Sequence, residues 1–285
     1  MDKIDKHLQK STITNFLRYP GSKRRMLEFL EQYLPTPSTI VSRYVEPFLG
    51  GGAVFFMIQP KQALLSDINP DLIDLYLGIR QSPMEVWERY CAFDCSKDEY
   101  RRVRETKPCG SLVDCAARIL YLNRTCFKGM WRHNKRGEFN VGYGGQARRW
   151  VINADNLVMV ARSLHRAELR CCDFEEIVYE CQAGDFIFAD PPYRPGEKEQ
   201  TNDHYAGRRF TFRDHCRLAS ALQSAKKHGA EWALTTSAHP EIVALFGGNQ
   251  VTMIPRGTGR RPGITVANSG EVLITSYHIG GEKQL

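Results

Sequence analysis

The sequence has 285 residues, 42% of them hydrophobic and 25% charged, as expected for one large globular domain or one domain with an insertion. No apolar run reaches the roughly 18–20 residues of a membrane span, and Met1 to Lys10 lacks the apolar core of a signal peptide. We therefore expect no membrane contact. The nine cysteines are scattered without C-x-x-C spacing, so we expect free thiols in a reducing cytoplasm and no metal site.

The basic excess of the chain lies in its middle. The whole sequence carries 39 Lys and Arg against 32 Asp and Glu. Residues 76–150 hold 15 basic against 8 acidic residues, and the rest of the chain holds 24 of each. Scattered basic residues often only solvate a surface. A segment this unbalanced, with aromatic residues interleaved, is instead typical of a module that faces a polyanion.

The first predicted element is a helix with apolar positions from Met26 to Leu34, after the loop Pro20-Gly21-Ser22. Backbone N–H groups of such a loop, together with Lys23, can hold an anionic group. An ordinary turn with an exposed lysine is the alternative.

The next two predicted strands each lead into a candidate ligand-binding loop. A strand at 39–45 precedes Gly50-Gly51-Gly52, and glycines there let a ligand approach the backbone closely, although no dinucleotide fingerprint or P-loop is present. A second strand at 63–66 ends in Asp67, where an acid commonly holds a ribose diol. Asp67 could instead cap the helix predicted at 70–80.

Residues 76–150 are predicted to be mainly helical, with helices at 83–90, 97–105 and 111–123. A β-hairpin follows at 130–143, with its turn at Lys135-Arg136-Gly137. A basic two-stranded ribbon can enter the major groove and read guanine edges. An exposed structural hairpin is the alternative.

From Asn153 the sheet resumes. The predicted helices are 156–164, 175–181, 213–227 and 241–246, and the predicted strands are 168–172, 185–189, 232–236, 251–255 and 271–277. Asp173 and Phe174 follow the first of these strands, so another acid ends a strand. A polar loop is predicted at 194–209, and its length indicates that it is either functional or disordered.

The strand at 185–189 runs into Asp190-Pro191-Pro192-Tyr193. Prolines cannot donate to a ladder, so the strand must stop there. A carboxylate, a proline carbonyl and an aromatic ring are left at the carboxyl end of a central strand, where open α/β sheets bind ligands. This group suits a planar substrate with an amino group. A simple Pro-Pro turn with an exposed Asp190 and a packing Tyr193 is the alternative.

Four stretches together resemble the class-alpha, Dam-type DNA adenine-N6 methyltransferases: residues 18–23, 46–53, 66–69 and 190–193. The hairpin at 132–141 and the strand at 271–277 match as well. The resemblance implies an α/β fold, namely a Rossmann-like S-adenosylmethionine (SAM)-dependent methyltransferase sheet with an inserted helical target-recognition domain that carries a β-hairpin. The catalytic domain would be residues 1–75 and 151–285, and the insert residues 76–150.

The resemblance also implies roles for particular residues. The catalytic residues would be Asp190, Pro191, Pro192 and Tyr193. The SAM contacts would be Tyr19, Lys23, Glu46, Phe48, Gly50, Gly52, Asp67, Asp173, Phe174 and Asp190. The DNA contacts would be Lys128, Arg132, Asn134, Lys135 and Arg136. The reaction needs no covalent nucleophile, which leaves the cysteines without a catalytic role.

The sequence departs from the family pattern mainly in the part that would read DNA. The family often has Trp at Tyr19, Asn at Lys128, Leu at Met130 and Pro at Gly142. We therefore expect the target to be GATC or a related adenine-containing site in double-stranded DNA. We also expect a monomeric enzyme and functional pairing with a restriction endonuclease. An RNA adenine methyltransferase would use the same pocket. A silent DNA-binding module should have lost the glycine loop and Asp190, and both are present.

Overall fold

The structure, a computed structural model, describes Ile13 and residues 16–106, 110–134, 136–193, 210–255 and 270–278. Its strands are β1 (Tyr44–Glu46), β2 (Ala63–Ser66), β3 (Ala167–Arg170), β4 (Phe186–Ala189), β5 (Glu231–Ser237), β6 (Gln250–Met253) and β7 (Glu271–Thr275). They form one seven-stranded sheet in the order β3-β2-β1-β4-β5-β7-β6. Strands β1 to β5 are parallel, and β7 runs antiparallel between β5 and β6. The predicted Rossmann-like α/β fold is confirmed.

The helices lie on both faces of the sheet. They are α1 (Leu27–Leu30), α2 (Ala53–Ile58), α3 (Pro70–Gln81), α4 (Pro83–Ala92), α5 (Lys97–Glu105), α6 (Leu112–Thr125), α7 (Ala154–Leu164), α8 (Phe174–Val178), α9 (Phe212–Lys227) and α10 (Pro240–Ala244). Short 3₁₀ turns at Lys23–Met26, Phe127–Gly129 and Arg149–Val151 join some of them. Within the described residues, no helix has both the length and the apolar character needed to cross a bilayer.

The central strands are buried on both faces, which explains their continuous apolar sequences. Val45 pairs with Leu64 on one side and with Ile187 on the other, and all three are fully buried. These side chains pack with α8 and α9 on one face. Tyr44 and Phe186 point to the opposite face, where α2, α3, α6 and α7 pack.

Residues 76–150 share the second of these cores. Tyr76, Tyr90 and Tyr121 are each fully buried, in the same apolar cluster as Phe56 of α2. Helix α3 packs against both α6 and α7. Residues 76–150 therefore pack against the sheet domain through one shared hydrophobic core.

The strand order reverses at β1. Strands β2 and β3 lie on one side of β1, and β4 and β5 lie on the other. The loops that follow β1 and β4 consequently leave the sheet in different directions, and a crevice opens at the carboxyl ends of these strands.

The strand predicted at 39–45 is wrong in its first half, since β1 begins at Tyr44. Thr39 and Val41 suit strands by type, yet the backbone turns here and the Oγ1 of Thr39 donates to the carbonyl of Thr36. Val41 is 87% exposed. Local hydrogen bonds of Thr therefore outweigh β propensity at this loop.

The predicted hairpin is present, but its ladder is minimal. Only isolated bridges occur in the described residues of this segment, one joining Cys126 to Tyr143 and one joining His133 to Phe139. The Oδ1 of Asn134 accepts the amides of Arg136 and Glu138 and closes the turn. The side chain thus takes bonds that a regular ribbon would give to backbone groups. The loop predicted at 194–209 lies outside the described residues.

Candidate active site

A cleft of about 450 Å³ occupies the crevice at the carboxyl ends of β1, β2 and β4. Every residue predicted to bind the cofactor or to take part in catalysis lines it. These residues are Tyr19, Lys23, Glu46, Phe48, Gly50, Gly52, Asp67, Asp173, Phe174, Asp190, Pro191, Pro192 and Tyr193. Residues from across the sequence thus meet in one place.

The glycine loop after β1 forms a backbone cradle on one wall of the cleft. Gly50 and Gly52 have φ values of 47° and 64°, in the left-handed region that favours glycine. A Cβ at Gly52 would lie 2.8 Å from the ring of Phe56, which leaves no room for a larger residue. The carbonyl of Gly50 accepts a hydrogen bond of 2.9 Å from the hydroxyl of Tyr76, so α3 fixes this loop from behind.

Asp67 stands at the tip of β2 and faces the same loop. Its Oδ2 accepts the amide of Gly50 at 2.8 Å, and its Oδ1 accepts the amide of Asn69 at 2.9 Å. Burial raises the pKa of Asp67 to about 6, and the two amide bonds act in the opposite direction. The alternative role as helix cap is wrong, because the side chain of Asn69 caps α3 by accepting the amide of Asp71.

Glu46 closes the floor of the cleft at the end of β1. It is 2% exposed, and its Oε2 accepts a hydrogen bond of 2.7 Å from the hydroxyl of Tyr44. Burial raises the pKa of Glu46 well above its usual range, and the charge of Asp190 adds to the effect. The hydrogen bond from Tyr44 acts in the opposite direction on this pKa.

Asp190 follows β4 and is held from two directions through one oxygen. The Nζ of Lys23 lies 2.8 Å from its Oδ1, and the Oγ1 of Thr235 donates to the same atom at 2.7 Å. Both partners are buried. Among the described residues, both of these contacts are to Oδ1 and none is to Oδ2. Asp190 is therefore an oriented carboxylate, in contrast to the exposed turn residue of the alternative interpretation.

Tyr193 lies beside this ion pair. The Nζ of Lys23 is 4.4 Å from the centroid of its ring, a cation–π distance. The hydroxyl of Tyr193 donates to the Oε2 of Glu271 at 3.2 Å. Burial raises the pKa of Tyr193 well above its usual value, and the charges of Asp190 and Glu271 add to the effect, so the phenol stays neutral.

The other end of the cleft is walled by aromatic rings. The ring centroids of Phe48, Phe174 and Phe210 lie 5.3 to 5.9 Å apart. Next to them, the Oδ1 of Asp173 accepts the amide of Glu175 and caps α8. Arg217 donates to the same oxygen at 2.8 Å, so this part of Asp173 is structural.

The residues predicted to contact DNA lie on the hairpin, outside the lining of the cleft. Lys128 and Arg136 are exposed, and the Nε of Arg132 donates to Asn140 at 3.0 Å. The carboxamide of Asn134 closes the turn and donates to Glu138, which gives this residue a structural role. Lys135 lies outside the described residues. In the described part of the chain, no group of three His, Cys, Asp or Glu could hold a metal ion.

Sequence reasoning missed three contributors to the site: Thr235, Glu271 and Phe210. Thr235 follows Leu234, which pairs with Ala189, so only the register of β4 and β5 brings it beside Asp190. Glu271 reaches the cleft because β7 runs antiparallel to its neighbours. The spacing of apolar residues indicates neither fact. Phe210 follows the loop at 194–209 and carries no motif.

The sheet order, the glycine cradle and the strand-tip acids define a Rossmann-like methyltransferase. A sequence model of the D12 class N6 adenine-specific DNA methyltransferases matches residues 19–257. The chain belongs to this family and is a DNA adenine methyltransferase.

Named relatives span nearly the same length. The chain is 28% identical to the Type II methyltransferase M1.LlaDCHI of Lactococcus lactis subsp. cremoris, over 95% of this chain and 98% of that protein. It is 30% identical to the Type II methyltransferase M.MjaIII of Methanocaldococcus jannaschii, over 92% and 98%. It is also 30% identical to a DNA adenine methylase of Vibrio cholerae serotype O1, over 84% and 87%.

Proposed function

We propose that the cleft binds SAM and places its methyl group beside the amino group of an adenine flipped out of duplex DNA. The observation that carries this proposal is the geometry at Asp190, where one oxygen is held by Lys23 and Thr235 and the other has no described partner. When bound, SAM would supply an already activated sulfonium methyl group. The protein then contributes position and electrostatics.

The residues present fit this cofactor. Gly50 and Gly52 allow a ligand to approach the backbone where a Cβ would intrude. Asp67 is a carboxylate suited to accept hydrogen bonds from a ribose diol. The rings of Phe48 and Phe174 offer an apolar slot for a purine. Tyr19, Lys23, Glu46 and Asp173 would complete the cofactor contacts at the rim.

Asp190 and Pro191 would act on the adenine. The amino nitrogen is a poor nucleophile because its lone pair is delocalised into the ring. Hydrogen bonds from its two hydrogens to the Oδ2 of Asp190 and the carbonyl of Pro191 would favour a tetrahedral nitrogen with a localised lone pair. Lys23 and Thr235 keep the carboxylate from rotating away. Pro192 stiffens the turn, and Tyr193 would stack on the base.

The target base must leave the helix to reach this pocket. We assign recognition of double-stranded DNA to residues 76–150, which carry the basic excess of the chain. Residues 1–75 and 151–285 would form the catalytic part. On the hairpin, Arg132 is the best placed base reader, and Lys128, Lys135 and Arg136 would add contacts to DNA. The target would be GATC or a related site that contains adenine.

The names of two relatives support a proposal for the biological setting. Two of them are named as Type II methyltransferases, which supports functional pairing with a restriction endonuclease. The eight cysteines in the described residues are free thiols, which suits the reducing cytoplasm. We propose that the enzyme acts as a monomer, since one chain contains every residue of the proposed pocket.

One assay tests the chemistry and the substrate together. The protein is incubated with SAM and with duplex DNA, single-stranded DNA or an RNA hairpin of matched sequence, and the nucleosides are quantified by mass spectrometry. N6-methyladenine should form fastest in duplex DNA. Preferential methylation of the RNA, or a product on cytosine, would contradict the proposal.

A further inference from the structure

Five arginines meet where the loop before α1 touches the end of α6. This arginine cluster consists of Arg18, Arg24, Arg25, Arg124 and Arg148. The Nε and Nη2 of Arg124 donate to the carbonyl of Arg148 at 2.9 and 2.6 Å. The Nη1 of Arg18 donates to the carbonyl of Arg124 at 3.3 Å. Distant parts of the sequence thus bring five like charges together.

The positive charges of the cluster act on one another. Burial lowers the pKa of Arg24, and the charges of Arg25 and Arg148 lower it further. Burial also lowers the pKa of Arg124 to about 10, with smaller contributions in the same direction from Arg18, Arg148 and Arg24. Tyr90 opposes this shift.

Within the described part of the chain, no carboxylate is paired with the cluster. In the described residues, none of the five arginines forms an ion pair, whereas Arg43, Arg170 and Arg217 are each paired with acids. Gathering like charges without counterions costs free energy. Such an arrangement is typical of a surface that is completed by an anionic ligand.

The cluster has an inner and an outer part. Arg18 and Arg124 bond backbone carbonyls and have a structural role. Arg24, Arg25 and Arg148 are exposed. Arg124 positions Arg148 through the carbonyl of that residue. Arg25 also lines the cleft that contains Asp190, and Arg24 lies within electrostatic reach of both Arg25 and Arg148, so the outer arginines extend from the wall of this cleft.

We propose that Arg24, Arg25 and Arg148 bind backbone phosphates of the DNA strand beside the flipped adenine. The planar guanidinium fork matches phosphate oxygens in a bidentate geometry. The inference rests on DNA as the substrate. It adds to the hairpin a second contact surface, built partly from the N-terminal segment. This surface grips the strand where it bends away from the duplex and carries no sequence information.

The test measures DNA affinity as a function of salt for Arg24→Gln and Arg148→Gln. The slope of log K against log salt is negative, and each lost phosphate contact should make it less steep by about 0.9, which is about eight-fold in affinity at 0.1 M salt. The loss should be equal for duplexes with and without the target site. SAM binding by calorimetry, which also reports folding, and kcat at saturating DNA should not change.

Arg166→Gln is the matched control. Arg166 is exposed and directly precedes β3, at the amino ends of the parallel strands, whereas the cleft lies at their carboxyl ends. The variant therefore removes the same charge at the other end of the sheet. The proposal is overturned if Arg24→Gln and Arg148→Gln lose no more affinity and slope than Arg166→Gln. A loss confined to the target sequence would also overturn it, because the arginines would then read bases. If the unmodified chain binds DNA but transfers no methyl group, the assignment of the cleft fails and the proposed phosphate contacts can still be tested by DNA affinity.

Discussion

Mutation of Thr235 tests whether catalysis requires the orientation of Asp190 in addition to its presence. Its hydroxyl donates to the Oδ1 of Asp190 from the core of the sheet, where Thr235 is fully buried. The neighbouring Thr236 is equally buried, yet its Oγ1 has no hydrogen-bond partner among the described residues. The two threonines therefore form a matched pair for mutation.

Thr235→Val should lower kcat by about ten-fold and leave the KM values for DNA and SAM nearly unchanged. A hydrogen bond to a charged group contributes roughly 1.5–3 kcal/mol, and we expect the lower end because Lys23 still holds the carboxylate. Steady-state kinetics measure the effect. Thr236→Val should have kcat close to that of the unmodified chain. Equal losses in the two variants would show that only packing matters.

Asp67 should make SAM affinity depend on pH. Its pKa is raised from an ordinary 3.8 to about 6 by burial, so the carboxylate becomes protonated as the pH falls through 6. The protonated form is a poorer acceptor for ribose hydroxyls. Calorimetry should show weaker SAM binding at pH 5 than at pH 7.5, and Asp67→Asn should be weaker at both values with a smaller difference between them.

The sign for stability is the reverse of the sign for binding. Since the folded chain holds this proton more tightly than the unfolded chain, the stabilisation by protonated Asp67 is complete below pH 3.8 and lost as the pH rises through about 6. If SAM affinity depended on pH as strongly in Asp67→Asn as in the unmodified chain, the assignment of Asp67 as a cofactor contact would be wrong.

At the scale of elements, the hairpin depends on a side-chain contact more than on its ladder. The Nε2 of His133 lies 2.8 Å from the Oδ2 of Asp71, in the first turn of α3. The ring centroids of Trp131 and Phe139 lie 4.6 Å apart, and both rings lie next to the ring of His133. This contact therefore connects the hairpin, which is the proposed DNA reader, to the start of α3.

A double-mutant cycle with His133→Ala and Asp71→Ala measures the interaction energy between these two side chains. Urea unfolding should give a coupling energy of about 1 kcal/mol, since a typical hydrogen bond contributes roughly 0.5–1.5 kcal/mol. Each single variant should also raise the KM for DNA more than the KM for SAM. Strictly additive effects on stability would show that the two side chains do not support one another.

Most helix starts were predicted to within two residues because their signals are local, whereas α1 and α8 end earlier than predicted, at Leu30 and Val178. Ser111 accepts the amide of Asp114 and caps α6, and α5 matches the prediction at both ends. Strand limits depended on partners that are remote in sequence, as the late start of β1 shows. The motif residues of the cleft were found because they lie at strand ends or, like Lys23, in the loop that opens a helix, whereas Thr235 and Glu271 needed the strand register and direction.

At the scale of the whole molecule, the chain should unfold as one unit despite its assignment to a catalytic part and an insert. The apolar cluster that includes Phe56 of α2 also includes Tyr90 and Tyr121 of the insert, without a break. A shared core couples the stability of the two parts.

Tryptophan fluorescence reports this coupling. Trp87, Trp131 and Trp150 lie in residues 76–150, and Trp232 lies in β5. In Trp232→Phe, fluorescence follows the insert alone, while far-UV circular dichroism follows all elements. The two urea transitions should coincide. A fluorescence transition well separated from the dichroism transition would mean that residues 76–150 fold independently.

The central claim is that this cleft methylates adenine in DNA through Asp190. The most direct measurement is methylation-sensitive sequencing of DNA from cells that lack adenine methylation and express either the unmodified chain or Asp190→Asn. We predict N6-methyladenine at one short sequence with the unmodified chain and none with Asp190→Asn at equal protein levels. Absence of N6-methyladenine in both, or equal methylation with Asp190→Asn, would contradict the claim.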